Sequence, residues 1–327
     1  MASASSDPYP NPAAALARIA GLIHRTPIMQ SRSLNALTGL NLVFKCEHLQ
    51  RTGSFKFRGA SHAVARLPGD CPGVATHSSG NHGAALAAAA AARGFSADVV
   101  MPENSVADKI AAVRAYGGTV HFCAPDQAAR EAGLAGLIER GKVAIPPYDH
   151  DDIIAGQGTA ALEFLAQAAD LDCLVAPIGG GGLLSGSVLA AARISPDVQV
   201  IGAEPAGADD AARSLAAGQR VDRHRPETMA DGLRALIGQR TFEILAGFST
   251  PVLTVSEDQI IEAMELIWRH LKQVVEPSGA VALAAVLAHR EQFRGGHFRG
   301  RRVGIILSGG NLAIGELLGT LGAGDAR

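Results

Sequence analysis

"CLVAPIGGGGLLSGSVLAAARI", residues 173–194, runs from a short apolar stretch into an alanine- and leucine-rich stretch through Gly179, Gly180, Gly181 and Gly182. The first part reads as a buried parallel strand and the last as a helix. The glycines between them are the informative part. Each loses more backbone freedom on folding than any other residue, so a turn that only had to change direction is a poor explanation for four in a row. At a helix N-terminus they let several backbone N–H groups point at one anion, and the helix dipole favours that charge too. The spacing is not G-x-x-x-x-G-K-[ST], and it lacks the G-x-G-x-x-G register with an acidic residue closing the next strand. An NTPase loop and a dinucleotide fingerprint are therefore disfavoured.

The same strand-then-helix alternation continues on both sides. "GVATHS" leads into "GAALAAAAAARG", "ADVVMP" into "SVADKIAAVRAYGG", and "TVHFCA" into "DQAAREAGLAGLIERG". "KVAIPPY" precedes "IIAGQGTAALEFLAQAA", and "VQVIGAEP" precedes "ADDAARSLAAG". The amphipathic run "EDQIIEAMELIWRHLKQVV" and a last "RRVGIILSGGN" complete a pattern of βαβ units with parallel sheets. The chain has 327 residues, enough for two domains. Its hydrophobic content is 47 % with only 4 % aromatic, which suits α/β layers. Lys plus Arg number 29 against 31 Asp plus Glu, a net charge of -2 with no basic stripe, so no nucleic-acid partner is expected. Cys46, Cys71, Cys123 and Cys173 form no C-x-x-C pair, which argues against zinc ribbons and disulfide frameworks and for reduced thiols. The polar, Pro-rich opening lacks the form of a signal peptide, and no apolar run is long enough to span a bilayer. A cytoplasmic protein with no membrane partner is expected.

Three further places carry chemistry. In "RTGSFKFRGA", residues 51–60, Lys56 lies between Phe55 and Phe57 at the head of a helical run. Alone, such a lysine reads as a packed stem with its head in water. In "THSSGNHGAAL", residues 76–86, Ser78, Ser79, Asn81 and His82 crowd a helix start, more donors than a cap requires. In "IILSGGNL", Ser308 closes a strand that must be central. A lysine in apolar surroundings, an anion cradle, a carboxylate-sized loop and a buried serine are together what pyridoxal phosphate uses. Burial disfavours the charged form of a lysine, so the phenylalanines become part of the chemistry.

Those segments resemble the fold-type II pyridoxal-phosphate enzymes, in the threonine/serine dehydratase and serine racemase family, over nearly the whole chain. The resemblance implies a tryptophan synthase β-like α/β fold, with two parallel-sheet domains and the active site between them. The large cofactor-binding domain would comprise residues 1–72 and 152–327, and the small inserted domain residues 73–151. It places the Schiff base on Lys56, with Phe55 near the cofactor ring and Asn81 on the cofactor's 3-hydroxyl. The phosphate would sit on Gly179 to Gly182 and Leu183, the pyridine nitrogen on Ser308, and Glu276 of "VVEPSGAVALAAV" near the ring. Ser78, Ser79, Asn81 and His82 would surround the substrate carboxylate. Arg130 aligns with an arginine near the substrate entrance, where it could hold a second carboxylate; an ordinary helix arginine is the plainer reading. "AEPAGADD" resembles a divalent-cation site, with the Glu204 carboxylate, the Ala208 carbonyl and the Asp210 carboxylate as ligands. Oxygen donors suit magnesium or calcium, with manganese as a third candidate; acidic residues also gather at helix starts for the dipole alone.

Tyr148 departs from the racemase pattern, which has an asparagine there, and agrees with the dehydratases. No regulatory domain of the biosynthetic dehydratase kind is expected. A serine rather than a carboxylate on the pyridine nitrogen leaves the ring nearly neutral and a poorer electron sink, which favours a reaction whose electrons depart promptly. The expectation is β-elimination from an L-β-hydroxy amino acid of serine or threonine type, 3-hydroxyaspartate or phenylserine. Lys56 would remove the α-proton, and the β-oxygen would leave with acid help from the cofactor phosphate. The products would be a 2-oxo acid and ammonia. An amino-acid racemase on the same scaffold, with Ser79 working the opposite face, is the alternative; a catalytically silent α/β binding protein is a further one. The family suggests a homo-oligomer, a dimer or larger.

Overall fold

The structure, a computed structural model, describes residues 8–78, 80–296, 298, 302–313 and 315. Its strands are β1 (Ile28–Met29), β2 (Asn41–Cys46), β3 (Val74–His77), β4 (Ala97–Pro102) and β5 (Thr119–Cys123). There follow β6 (Val143–Ala144), β7 (Cys173–Pro177), β8 (Gln199–Pro205), β9 (Val252–Val255) and β10 (Arg302–Leu307). They form a six-stranded sheet in the order β1-β2-β10-β7-β8-β9 and a four-stranded sheet in the order β5-β4-β3-β6. Every pairing is parallel except that of the edge strand β1 with β2. The chain is thus an α/β protein built on parallel sheets.

Alternation along the strands of the larger sheet buries both faces. Leu42, Phe44 and Cys46 of β2, Cys173 and Val175 of β7, and Val303, Ile305 and Leu307 of β10 face one core, under the helices Pro277–Ala288 and Glu257–Leu271. Val43, Leu174, Ala176 and Ile306 face the other, under the helices Asp151–Gln167 and Gly182–Ile194. A period of two with apolar residues on both faces is what a covered parallel sheet requires. The same alternation sends Lys45 inward, where it is 0 % exposed.

Lys45 survives there because it is paired. Its Nζ donates to Glu163 Oε2 at 2.9 Å, Gln167 Oε1 at 2.8 Å and the Thr26 carbonyl at 2.8 Å. Arg58, also 0 % exposed, donates to both oxygens of Glu47, at 2.7 and 2.8 Å, and to both of Glu163, at 2.9 and 2.8 Å. Two cations and two carboxylates therefore tie β2 and the helix Lys56–Ala65 to the helix Asp151–Gln167. That helix also approaches Gly182–Ile194 closely: a Cβ at Gly158 would lie 2.6 Å from the Gly186 carbonyl oxygen.

The helix Asn81–Ala91 covers the smaller sheet, and its residues 84 to 90, all alanine but Leu86, are buried in one core with Val74, Ala97 and Val99. Phe57, Ala60 and Val64 of the helix Lys56–Ala65 join that core, so this helix links the two sheets. Cys46 and Cys173 are buried and free, and burial pushes both thiols up to about 12, which leaves them unreactive. Among the described residues, no helix is long and apolar enough to cross a membrane.

Four elements differ from the sequence reading. The strand expected at "KVAIPPY" is only Val143–Ala144, because Pro146 and Pro147 have no N–H to give a ladder. The amphipathic run from Glu257 stops at Leu271, where Lys272 turns left-handed at φ 58°. The edge strands β1 and β9 are both short, at two and four residues, and went unrecognised for that reason.

Candidate active site

The strands β2, β10, β7 and β8 are parallel, so their carboxyl ends open on one edge of the sheet, where α/β proteins bind ligands. Ser308 follows β10, the glycine run follows β7, Glu204 lies at the end of β8, and Glu47 follows β2. Phe55 N–H donates to the Ser308 carbonyl at 3.0 Å, and Gly310 N–H to the Gly53 carbonyl at 3.0 Å, so the loops 53–55 and 308–310 are clasped together. Lys56, the next residue, begins its helix.

Lys56 is only half-buried as a residue, but its amine differs from those of Lys45 and Arg58 in having no carboxylate bonded to it. Nζ donates to the Pro147 carbonyl at 2.8 Å and lies 5.2 Å from the centre of the Phe55 ring. Burial lowers its pKa to about 8 against the opposing charge of Glu276, and the positive end of its own helix acts in the same sense as burial. Of the two flanking phenylalanines, Phe57 belongs to the core and Phe55 stays beside the amine.

Glu276, 3 % exposed, stands at the N-cap of the helix Pro277–Ala288. Its Oε1 accepts from Asn81 Nδ2 at 2.7 Å, and Oε2 is buried with no hydrogen-bond partner. Burial and the nearby charge of Asp231 raise its carboxyl to about 7. Asn311 Nδ2 donates to Asn81 Oδ1 and to the Thr52 carbonyl, each at 2.8 Å. The lysine loop, the Asn81 loop and the loop after β10 thus share one network. Ser308 Oγ is buried and donates to the Ser278 carbonyl at a long 3.4 Å. Sequence reasoning missed Asn311, although it sits three residues beyond Ser308 in the segment already singled out.

The glycine run is sterically required. Gly181 has φ +93°, and a Cβ there would meet Thr241 at 2.7 Å; one at Gly180 would lie 2.2 Å from Tyr148 Cγ, and one at Gly179 would be 2.9 Å from Leu233 Cα. Gly182 opens the helix, Leu183 is buried behind it, and no side chain caps the helix. The amides of its first turn are therefore left for an anion.

In the second loop, Ser78 Oγ accepts from the Gly80 and Gly83 amides at 3.2 Å each and so caps the helix Asn81–Ala91. His82 is buried, donates from Nε2 to the Ile145 carbonyl at 3.1 Å, and is held neutral by burial, its pKa down to about 3. Ser79 lies outside the described residues. Arg130, in the first turn of the helix Gln127–Glu139, is half-buried and its Nε has no hydrogen-bond partner. Its charge, after burial, keeps the pKa of His77 low, so the two are neighbours at the end of β3.

At the end of β8, Glu204 accepts from the Ala211 and Ala212 amides at 3.1 and 2.9 Å. Burial and the charges of Asp210 and Asp209 push its carboxyl up to about 8. Asp210 is 0 % exposed; its Oδ2 accepts from the Ile237 amide at 2.7 Å, and its Oδ1 has no hydrogen-bond partner. Ala208 lies between them, also fully buried. Two crowded carboxylates with a spare oxygen fit a cation in chemical type. Among the described residues, however, no three His, Cys, Asp or Glu side chains already form a metal-binding group.

A lysine whose amine is bonded to no carboxylate, an uncapped glycine cradle and a buried hydroxyl meet where parallel strands end, and that constellation suits pyridoxal phosphate. The chain belongs to the pyridoxal-phosphate dependent enzymes, whose family model matches residues 19–309. Within that family it is 46 % identical to a serine racemase of Arabidopsis thaliana over 92 % of each chain. It is 44 % identical to a beta-hydroxyaspartate dehydratase of Paracoccus denitrificans, over 94 % of this chain and 98 % of that one. The structure of maize serine racemase superposes with a TM-score of 0.90 at 42 % identity, over 96 % of both chains.

Proposed function

We propose that the enzyme eliminates water from an L-β-hydroxy amino acid carrying a second carboxylate, 3-hydroxyaspartate, and that the released enamine then takes up water to give a 2-oxo acid and ammonia. One observation carries the choice of substrate. Arg130 keeps a buried Nε without a partner beside His77, at the same strand end as the Ser78–His82 loop. A guanidinium with an unused donor is suited to a carboxylate. The dehydratase of P. denitrificans supports the reading by its name.

Bound at Lys56 and the glycine cradle, pyridoxal phosphate supplies a carbonyl that captures the substrate amine and a ring that draws electrons from the α-carbon. The chain's own groups do the rest. Lys56, with a free-base fraction near neutrality, takes the α-proton. The amides of Gly179 to Gly182 and Leu183 hold the phosphate, Asn81 and Phe55 set the plane of the ring, and Ser308 offers the ring nitrogen a neutral hydroxyl. Glu276 stands near the ring as a carboxyl poised around neutrality. Ser78, Ser79 and the Asn81 loop receive the α-carboxylate, and His82 braces that loop as a neutral group. Segment 73–151, taken as a small inserted domain, brings Asn81 and Arg130 against the large domain of residues 1–72 and 152–327. Glu204, Ala208 and Asp210 hold a divalent cation away from the ring. The enzyme works as a cytoplasmic homo-oligomer, a dimer or larger.

Racemisation is the second reading, favoured by the similarity to serine racemases. Lys56 reaches one face of the substrate, and Ser79 would exchange a proton on the other. The test is a panel of L-serine, L-threonine, L-threo-3-hydroxyaspartate and L-threo-phenylserine, assayed for 2-oxo acid release by wild type and Arg130→Gln. The dicarboxylate should have the highest kcat/KM and lose at least roughly tenfold in the variant, mainly through KM. Equal losses on L-serine and on the dicarboxylate would remove Arg130 from substrate selection.

A further inference from the structure

Asp210 Oδ1 is not the only unsatisfied atom below β8. The His224 side chain, from the segment after the helix Asp210–Ala217, is 4 % exposed, and its Nε2 is also buried without a hydrogen-bond partner. The two orphaned atoms face each other at 3.6 Å. That is too long for a hydrogen bond between an imidazole and a carboxylate, and it leaves two buried polar groups unsatisfied, which folded proteins avoid. It falls near the separation of two ligands on one metal ion, whose bonds of roughly 2.0–2.4 Å set neighbouring donors about 3–3.6 Å apart.

We propose that His224 is a nitrogen ligand of the cation site, and that the site therefore selects a divalent transition ion over magnesium or calcium. This rests on the cation reading of Glu204, Ala208 and Asp210. Those three donors are all oxygen and by themselves suit the hard ions. An imidazole changes the set, because nitrogen donors favour manganese, cobalt, nickel and zinc over magnesium and calcium. Asp210 and His224 already face one another. Glu204 joins by turning one oxygen away from the helix amides it now caps. His224 lies 14 residues beyond Asp210 in "VDRHRPETMADG", at no spacing that marks a metal ligand in the sequence.

The experiment uses holoenzyme stripped by exhaustive chelation, with magnesium chloride and manganese chloride as probes. Affinities come from the rise in melting temperature with free ion, as binding to the native state requires. Nitrogen ligation is read by electron spin-echo modulation of bound manganese. Wild type should bind manganese at least about tenfold more tightly than magnesium, and its manganese should show a directly coupled nitrogen. His224→Asn should lose at least about tenfold in manganese affinity, change little for magnesium, and lose the nitrogen coupling. Manganese bound with no coupled nitrogen in wild type would overturn the proposal and leave an all-oxygen site standing, without recourse to the variant. No ion bound by either measurement would overturn the cation reading together with it.

Discussion

Lys56 sets the sharpest quantitative expectation. An ordinary lysine with pKa 10.5 is free base to about one part in 3000 at pH 7, whereas one at about 8 is free base to about one part in ten. The structure thus gives Lys56 roughly 300 times more nucleophilic amine than an exposed lysine. Glu276 is the opposing influence, so Glu276→Gln should lower the Lys56 midpoint further, by about one pH unit. The assay is competitive acetylation of cofactor-free protein between pH 6 and 11, read peptide by peptide by mass spectrometry. Lys56 should label with a midpoint near 8. The sign carries over to stability. Because the native value lies below the unfolded one, the native state binds fewer protons between pH 8 and 10.5, and wild-type stability should rise across that window. The burial penalty is present in full below pH 8. Lys56→Met should lack that rise, of about 2–3 kcal/mol by pH 10. A Lys56 midpoint at the ordinary lysine value of 10.5 would refute the argument that burial prepares this amine.

Borohydride reduction of the coloured holoenzyme should fix the cofactor on the Lys56 peptide. Label on Lys45, which is held by Glu163, or on Lys109, which is paired with Asp231, would displace the assignment. Arg58→Met should cost about 3–5 kcal/mol in urea unfolding, because it leaves Glu47 and part of Glu163 buried without their cation; a loss below about 1 kcal/mol would mean the network relaxes freely. Gly181→Ala, at φ +93° and against Thr241, should weaken cofactor retention at least about tenfold by equilibrium dialysis. Unchanged retention would separate the glycine run from phosphate binding.

Much of this was readable beforehand because the pattern was local. The glycine run, the Lys56 segment and the Asn81 loop each sit where a strand or turn meets a helix, and such junctions announce themselves by composition. The short edges β1 and β9 carry too few residues to show a period. The partners of Lys45 and Arg58 were hidden for another reason: Glu163 is 118 residues from Lys45, and only the alternation of β2 with helix packing brings them together. Asn311 and His224 were missed likewise, since each acts on a residue far away in sequence or in a different element. A polar side chain in a loop looks the same in sequence whether or not its partner is buried.

Proton NMR of the reaction in deuterium oxide tests the central claim most directly, with L-threo-3-hydroxyaspartate as substrate and chiral analysis of what remains. The account predicts a 2-oxo acid and ammonia in equal amounts, deuterium entering at C3 of the oxo acid, and residual substrate that stays in the L form. Residual substrate that gains α-deuterium and turns to the D form, with no 2-oxo acid released, would contradict it and make the enzyme a racemase.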